Sequence, residues 1–170
     1  MSSQKLKIVS LLALSVVLSF FKIPLFPYAP FLTLDLSLLP ILIALVALNL
    51  RASLQLLIYK FILLSLLQGF SLLVIIGNFT DFLTGCLLVF FMAWLQKDTF
   101  WEYFLNVVLT TSIMCGINNW LIFPMYQHFF QIKLSSLLIW TAILPFNVIK
   151  CSLLIWLTRL MMKSRLLLHL

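Results

Sequence analysis

Leu144-Pro145-Phe146-Asn147-Val148-Ile149-Lys150 sits near the start of the last long apolar stretch of the chain. A lysine within a membrane-crossing helix costs at least ~2.5 kcal/mol even on the most lenient insertion scale. Such a residue is normally buried in protein, paired, or turned to a wet cavity. Asn147 stands three residues before Lys150, so the two project from one helical face. The heptapeptide therefore predicts apolar helices gathered into a bundle, with a polar site for a ligand inside it.

The composition agrees. Of 170 residues, 64% are apolar and 9% charged, more apolar surface than a soluble domain of this size can hide. Four glycines and six prolines mark no linker, so residues 1–170 read as one membrane domain without room for a catalytic or nucleotide-binding unit. Any energy source is then expected on another chain. Lys5 and Lys7 precede the first apolar segment, which runs on to Phe21 without a small-x-small cleavage site. It reads as a retained span rather than a signal peptide. The net charge of +7 reflects topology rather than nucleic acid, because the basic residues are spread along the chain. Cys86, Cys115 and Cys151 are far apart in apolar surroundings and read as small buried residues.

Six stretches fit a bilayer: about 8–23, 38–50, 53–68, 78–95, 104–126 and 135–162. The fold class predicted is an all-α integral membrane protein, a six-transmembrane-helix bundle. With a cytoplasmic N-terminus, Lys5, Lys7, Arg51, Lys97, Arg159, Lys163 and Arg165 fall inside and only Lys22 and Lys133 outside. That asymmetry satisfies the positive-inside rule and places both termini in the cytoplasm. Pro145 is expected to kink the sixth span. The link from Pro24 to Ser37 holds three prolines yet is strongly apolar. It reads either as a lid folded over the outer end of the bundle or as an interfacial loop anchored by Phe and Tyr.

Polar residues recur inside the spans. Lys60 lies in the third, Asn78 and Asp81 open the fourth, Asn118 and Asn119 lie in the fifth, and Asn147 and Lys150 in the sixth. Each alone has a plain explanation: a lysine snorkels, an Asn joins helices, an Asp caps one. Four helices offering polar groups at similar depth imply a shared cavity. A flat aromatic ligand with one polar edge suits the inventory, since Asn donates and accepts while Lys only donates. Asp81 is expected to balance one of the two lysines. His128 and His169 are isolated, and no catalytic or metal-binding motif occurs, so neither an enzyme nor a metal site is expected.

Pro30-Phe31-Leu32-Thr33-Leu34-Asp35-Leu36-Ser37-Leu38-Leu39-Pro40 resembles a signature of the S-components of energy-coupling factor (ECF) transporters, especially the riboflavin-binding ones. Lys60, Asn118 to Tyr126 (Asn-Asn-Trp-Leu-Ile-Phe-Pro-Met-Tyr) and Pro145 to Lys150 are similar to further family motifs in the same order. The resemblance implies a multi-pass protein of a prokaryotic cell membrane that captures a vitamin, with riboflavin or a related flavin as cargo and no resident cofactor. It implies a transmembrane T-subunit and two cytoplasmic ATP-binding subunits as partners. It implies a lid containing Phe31, Leu32, Leu34 and Asp35, and substrate contacts from Asn118, Asn147 and Lys150, to which Lys60, Asn78 and Asp81 add polar groups. Small residues of the first span, Ala13, Ser15 and Ser19, read either as the docking stripe for the T-subunit or as ordinary internal packing. The chain departs from the family at Thr33, where lysine is usual, and at Asn78 and Asp81, which replace Glu and Asn. An S-component for another small molecule, or a structural or assembly membrane protein, remain the alternative readings.

Overall fold

The fold is a computed structural model that describes residues 3–29, 32–95, 99–131 and 135–163. Pro30, Phe31, Lys97, Lys133, Arg165 and His169 lie outside the described residues.

Among the described residues, six helices make the bundle. They are α1 (Ser3–Leu18), α2 (Leu39–Ala47), α3 (Leu50–Leu67), α4 (Leu72–Trp94), α5 (Phe100–Phe130) and α6 (Ile139–Met162). The last four are long and apolar enough to cross a membrane. The expected number and order of helices are found, and their ends differ for local reasons. α1 stops at Leu18, and Pro24 disfavours helix at Ile23. Ile23–Pro24 instead forms a short strand, β1, antiparallel to β2 (Thr33–Leu34). α2 is nine residues long, roughly 13 Å at 1.5 Å per residue, and Pro40 fits its first turn. Asn49 then caps α3, its Oδ1 accepting from Ala52 N at 2.8 Å. This cap lets α2 and α3 turn back on each other without glycine or proline.

α4 begins six residues before the expected start at Asn78. Gly69, at φ +85°, ends α3 in the left-handed region, and the Ser71 hydroxyl caps the new helix. Asn78 and Asp81 therefore sit well inside α4 rather than at its mouth. α5 and α6 share a feature the sequence foreshadows only in part. Each contains one π-helical turn, Asn118–Ile122 and Ile139–Ile143, and each turn lies just before a proline, Pro124 and Pro145. A proline cannot donate to the carbonyl four residues back and its ring crowds that carbonyl. The wider turn relieves the crowding.

Outward, the helices present large apolar residues such as Leu14, Val17, Ile58, Ile62, Phe90, Leu105 and Trp156, the surface that lipid would cover. Inward, Leu11, Ile41, Leu42, Leu56, Leu57, Leu88, Val89, Leu154 and Ile155 form one dry aliphatic core. Gly85 lets α4 approach there: a methyl group added to it would collide with the buried side chains of Leu57 and Leu38. Along α3, α4 and α6, this core occupies one end, and polar residues occupy the other.

Candidate functional site

Between the polar ends of the helices lies a cavity of about 580 Å³, in the size range of small-ligand sites. Its apolar walls come from Leu32 beside β2, Leu64 of α3, Leu73 and Val74 of α4, Ile122, Phe123 and Tyr126 of α5, and Ile143 and Phe146 of α6. Its polar groups are Asp35 and Ser37 beside α2, Asn78, Thr80, Asp81 and Thr84 of α4, Asn118 of α5, and Asn147 and Lys150 of α6. Ser19, exposed Lys22 and Gln68 also line it. Five of the six polar site residues anticipated from sequence thus meet around one space. Lys60 does not line it.

The floor of the cavity is a cluster of four charges. Lys60 Nζ donates to Asp81 Oδ2 at 2.5 Å, and Lys150 Nζ donates to Asp81 Oδ1 at 2.7 Å. Lys150 Nζ also lies 3.6 Å from Asp35 Oδ2. Asp35 Oδ1 accepts from the Ser37 amide at 2.9 Å and from the Ser37 hydroxyl. Lys60 Nζ donates in turn to Ser37 Oγ at 2.5 Å. Two ammonium groups thus face two carboxylates, and the cluster is neutral. Lys60 and Lys150 are only 3% and 5% exposed, so neither is balanced by water. Asp81 serves both lysines, where the sequence suggested it would serve one. Asp35 supplies the second acid from the α1–α2 connection.

This cluster pins the connection to the bundle. Ser15 Oγ of α1 donates to the Ser37 carbonyl at 2.5 Å. Leu32 packs against the Phe123, Ile139 and Ile143 cluster. Tyr28 Oη donates to the Thr141 carbonyl at 2.9 Å. Thr141 is the residue four before Pro145, so the tyrosine takes up an acceptor that the proline cannot use. Of the residues expected in the lid, Leu32 and Asp35 reach the cavity, and Leu34 lies in β2 without lining it.

The hydrogen-bond ledger of the asparagines is uneven. Asn118 Nδ2 donates to Met114 O at 2.7 Å. Asn78 Nδ2 is buried without a partner among the described residues. A buried donor left unmade is costly, and a ligand acceptor at the cavity wall would satisfy it. Asn119, adjacent to Asn118, does not line the cavity.

Of the two readings of the first-span serines, the structure favours internal packing. Ser15 and Ser19 do not form an outward docking stripe, because both are buried, at 0% and 2% exposure. Ser15 holds the Ser37 carbonyl, and Ser19 borders the cavity. With Leu11 they repeat every four residues along the inward face of α1. Ala13 is exposed on the opposite side. Sequence reasoning also passed over Ser19, Gln68, Tyr126 and Phe146 as cavity residues. For Phe146 the signal was present, since it adjoins Asn147 and stands four residues before Lys150.

No group of three or more His, Cys, Asp or Glu able to hold a metal ion occurs among the described residues. The arrangement offers recognition of a small molecule: apolar walls, a few fixed donors and acceptors, and a paired ammonium at the floor.

The comparisons with known proteins fit this geometry. Residues 5–162 match the family described as ECF transporter, substrate-specific component. The riboflavin transporter RibU of Streptococcus thermophilus is 28% identical, over 88% of this chain and 76% of its own. A solved structure of the S component of a bacterial ECF transporter aligns with a TM-score of 0.78 at 25% identity, covering 95% of this chain and 94% of that one.

Proposed function

The chain belongs to the ECF transporter substrate-specific component family, and from that premise we propose that it captures riboflavin, or a closely related flavin, for import. The observation that carries the reading is the composition of the cavity wall. Phe123, Tyr126 and Phe146 offer faces and edges to a flat ring, while Asn78, Asn118, Asn147 and Lys150 border the same space. Asparagine offers both donor and acceptor, and lysine offers donors, which together match the imide-like edge of a flavin. The resemblance to RibU supports the same cargo.

Family membership and the bias of the basic residues support the remaining parts of this proposal. The cavity end faces outward, with both termini in the cytoplasm. The segment around β1 and β2 covers the occupant, with Asp35 and Leu32 as its inner face. A T-subunit docks against the exposed side of α1 that carries Ala13, and two ATP-binding subunits power release inward. The chain itself catalyses no reaction.

Purification in mild detergent tests the cargo directly. The protein is expected to emerge yellow, or to turn yellow on adding riboflavin, with flavin released on denaturation and identified by mass spectrometry. A colourless protein that ignores riboflavin would overturn the assignment. A different molecule found in the cavity would favour an S-component of other specificity. Uptake into vesicles is expected to require the partner subunits and ATP.

A further inference from the structure

Lys60 is the one charged member of the floor cluster that does not border the cavity. It is buried in α3, with its ammonium divided between Asp81 Oδ2 of α4 and Ser37 Oγ beside α2. Asp81 spends its other oxygen on Lys150. The four charges form a chain in which each acid is shared: Lys60 to Asp81, Asp81 to Lys150, Lys150 to Asp35. Remove Lys60 and one ammonium faces two carboxylates. Lys150 is then drawn toward both acids, and its donors are withdrawn from whatever occupies the cavity. Loss of one partner from a buried charge pair leaves the other uncompensated.

We propose that Lys60 is a positioning residue for ligand binding, acting through Asp81 on the Lys150 ammonium without touching the occupant. This rests on the cavity being the ligand site, as argued above. Lys60 occupies one side of the Asp81 carboxylate and so leaves Lys150 partly free to donate upward. Its bond to Ser37 Oγ fixes the root of the α1–α2 connection by the same ammonium. A lysine that only filled space in α3 would do neither.

A double-mutant cycle with riboflavin as the probe separates the two. Lys60→Met is expected to weaken riboflavin binding roughly tenfold in the native background, within the coupling range of one hydrogen-bonded network. In an Asp81→Asn background the same substitution is expected to add almost nothing, because the negative charge it would unbalance is gone. At saturating riboflavin, Lys60→Met is also expected to change the shape of the visible absorption band, because the ammonium nearest the ring has moved. An equal penalty in both backgrounds, or an unaltered band, would overturn the positioning role. Thermal unfolding of the same four proteins without ligand provides a second reading. Lys60→Met should lower the midpoint in the native background and much less beside Asp81→Asn. If wild-type protein binds no riboflavin, the cargo assignment fails, and this apo cycle still decides whether Lys60 acts through Asp81: coupling supports it, and additivity refutes it.

Discussion

The two ends of the bundle solve opposite problems with the same helices. At the α2–α3 turn end, Leu42, Leu56, Leu57, Leu88 and Leu154 pack into an aliphatic core. At the other end, α3, α4 and α6 carry Lys60, Asp81 and Lys150, which with Asp35 make a neutral cluster beneath a cavity. The first region stores stability in apolar contact. The second leaves a space unfilled and balances its charges internally. On α6 the change takes one residue, from Lys150 to fully buried Cys151. The contrast teaches that the dry end provides the rigidity against which the polar end can stay open.

Substitutions should respect that division. The largest effect is expected from Asp81→Ala, which leaves Lys60 and Lys150 facing one another across the floor. Losing the shared partner of a buried pair costs about 3–5 kcal/mol, so both thermal stability and ligand binding should fall; a variant with unchanged unfolding temperature would break the comparison. Leu56→Ala at the dry end should cost about 2–5 kcal/mol of stability by cavity formation. Its riboflavin affinity, measured well below the unfolding temperature, should stay near wild type. A large affinity loss there would mean that the two ends are not separable.

Lys150→Ala strikes both properties. Lys60 alone then faces Asp81 and Asp35, so the unfolding temperature should fall, though less than in Asp81→Ala because Asp81 keeps Lys60 and Asp35 keeps Ser37, while affinity falls about tenfold or more from losing a charge-assisted hydrogen bond worth ~1.5–3 kcal/mol. Tyr28→Phe removes only the bond to the Thr141 carbonyl, ~0.5–1.5 kcal/mol. It should speed ligand dissociation several-fold, as stopped-flow fluorescence would record, and lower the unfolding temperature by only a few degrees.

Much of this was readable from the chain because a charge in an apolar span must be answered by something. Lys60, Asp81, Asn118, Asn147 and Lys150 announced themselves by polarity, and hydropathy and charge bias fixed the number of helices. The inward face of α1 was not readable in the same way. In lipid, both the packed and the outer faces of a helix are apolar, so periodicity does not tell Leu11 from Leu14. Ser15 and Ser19 looked like a close-approach stripe, and their hydroxyls turned out to serve backbone carbonyls inside the bundle. The pairing of Asp35 with Lys150 joins residues far apart in sequence through a proline-rich connection, a link that no local pattern encodes. The π-helical turns are likewise consequences of where the strain at Pro124 and Pro145 is released, which depends on packing.

The central claim is that side chains from α4, α5 and α6 converge on one ligand. Titrating riboflavin into the purified protein while following flavin fluorescence tests it most directly, with Lys150→Ala and Asn147→Leu measured alongside. The account predicts saturable one-to-one quenching for the native chain and clearly weaker binding for each variant. Native protein that fails to quench, or variants that bind as tightly as the native chain, would contradict it.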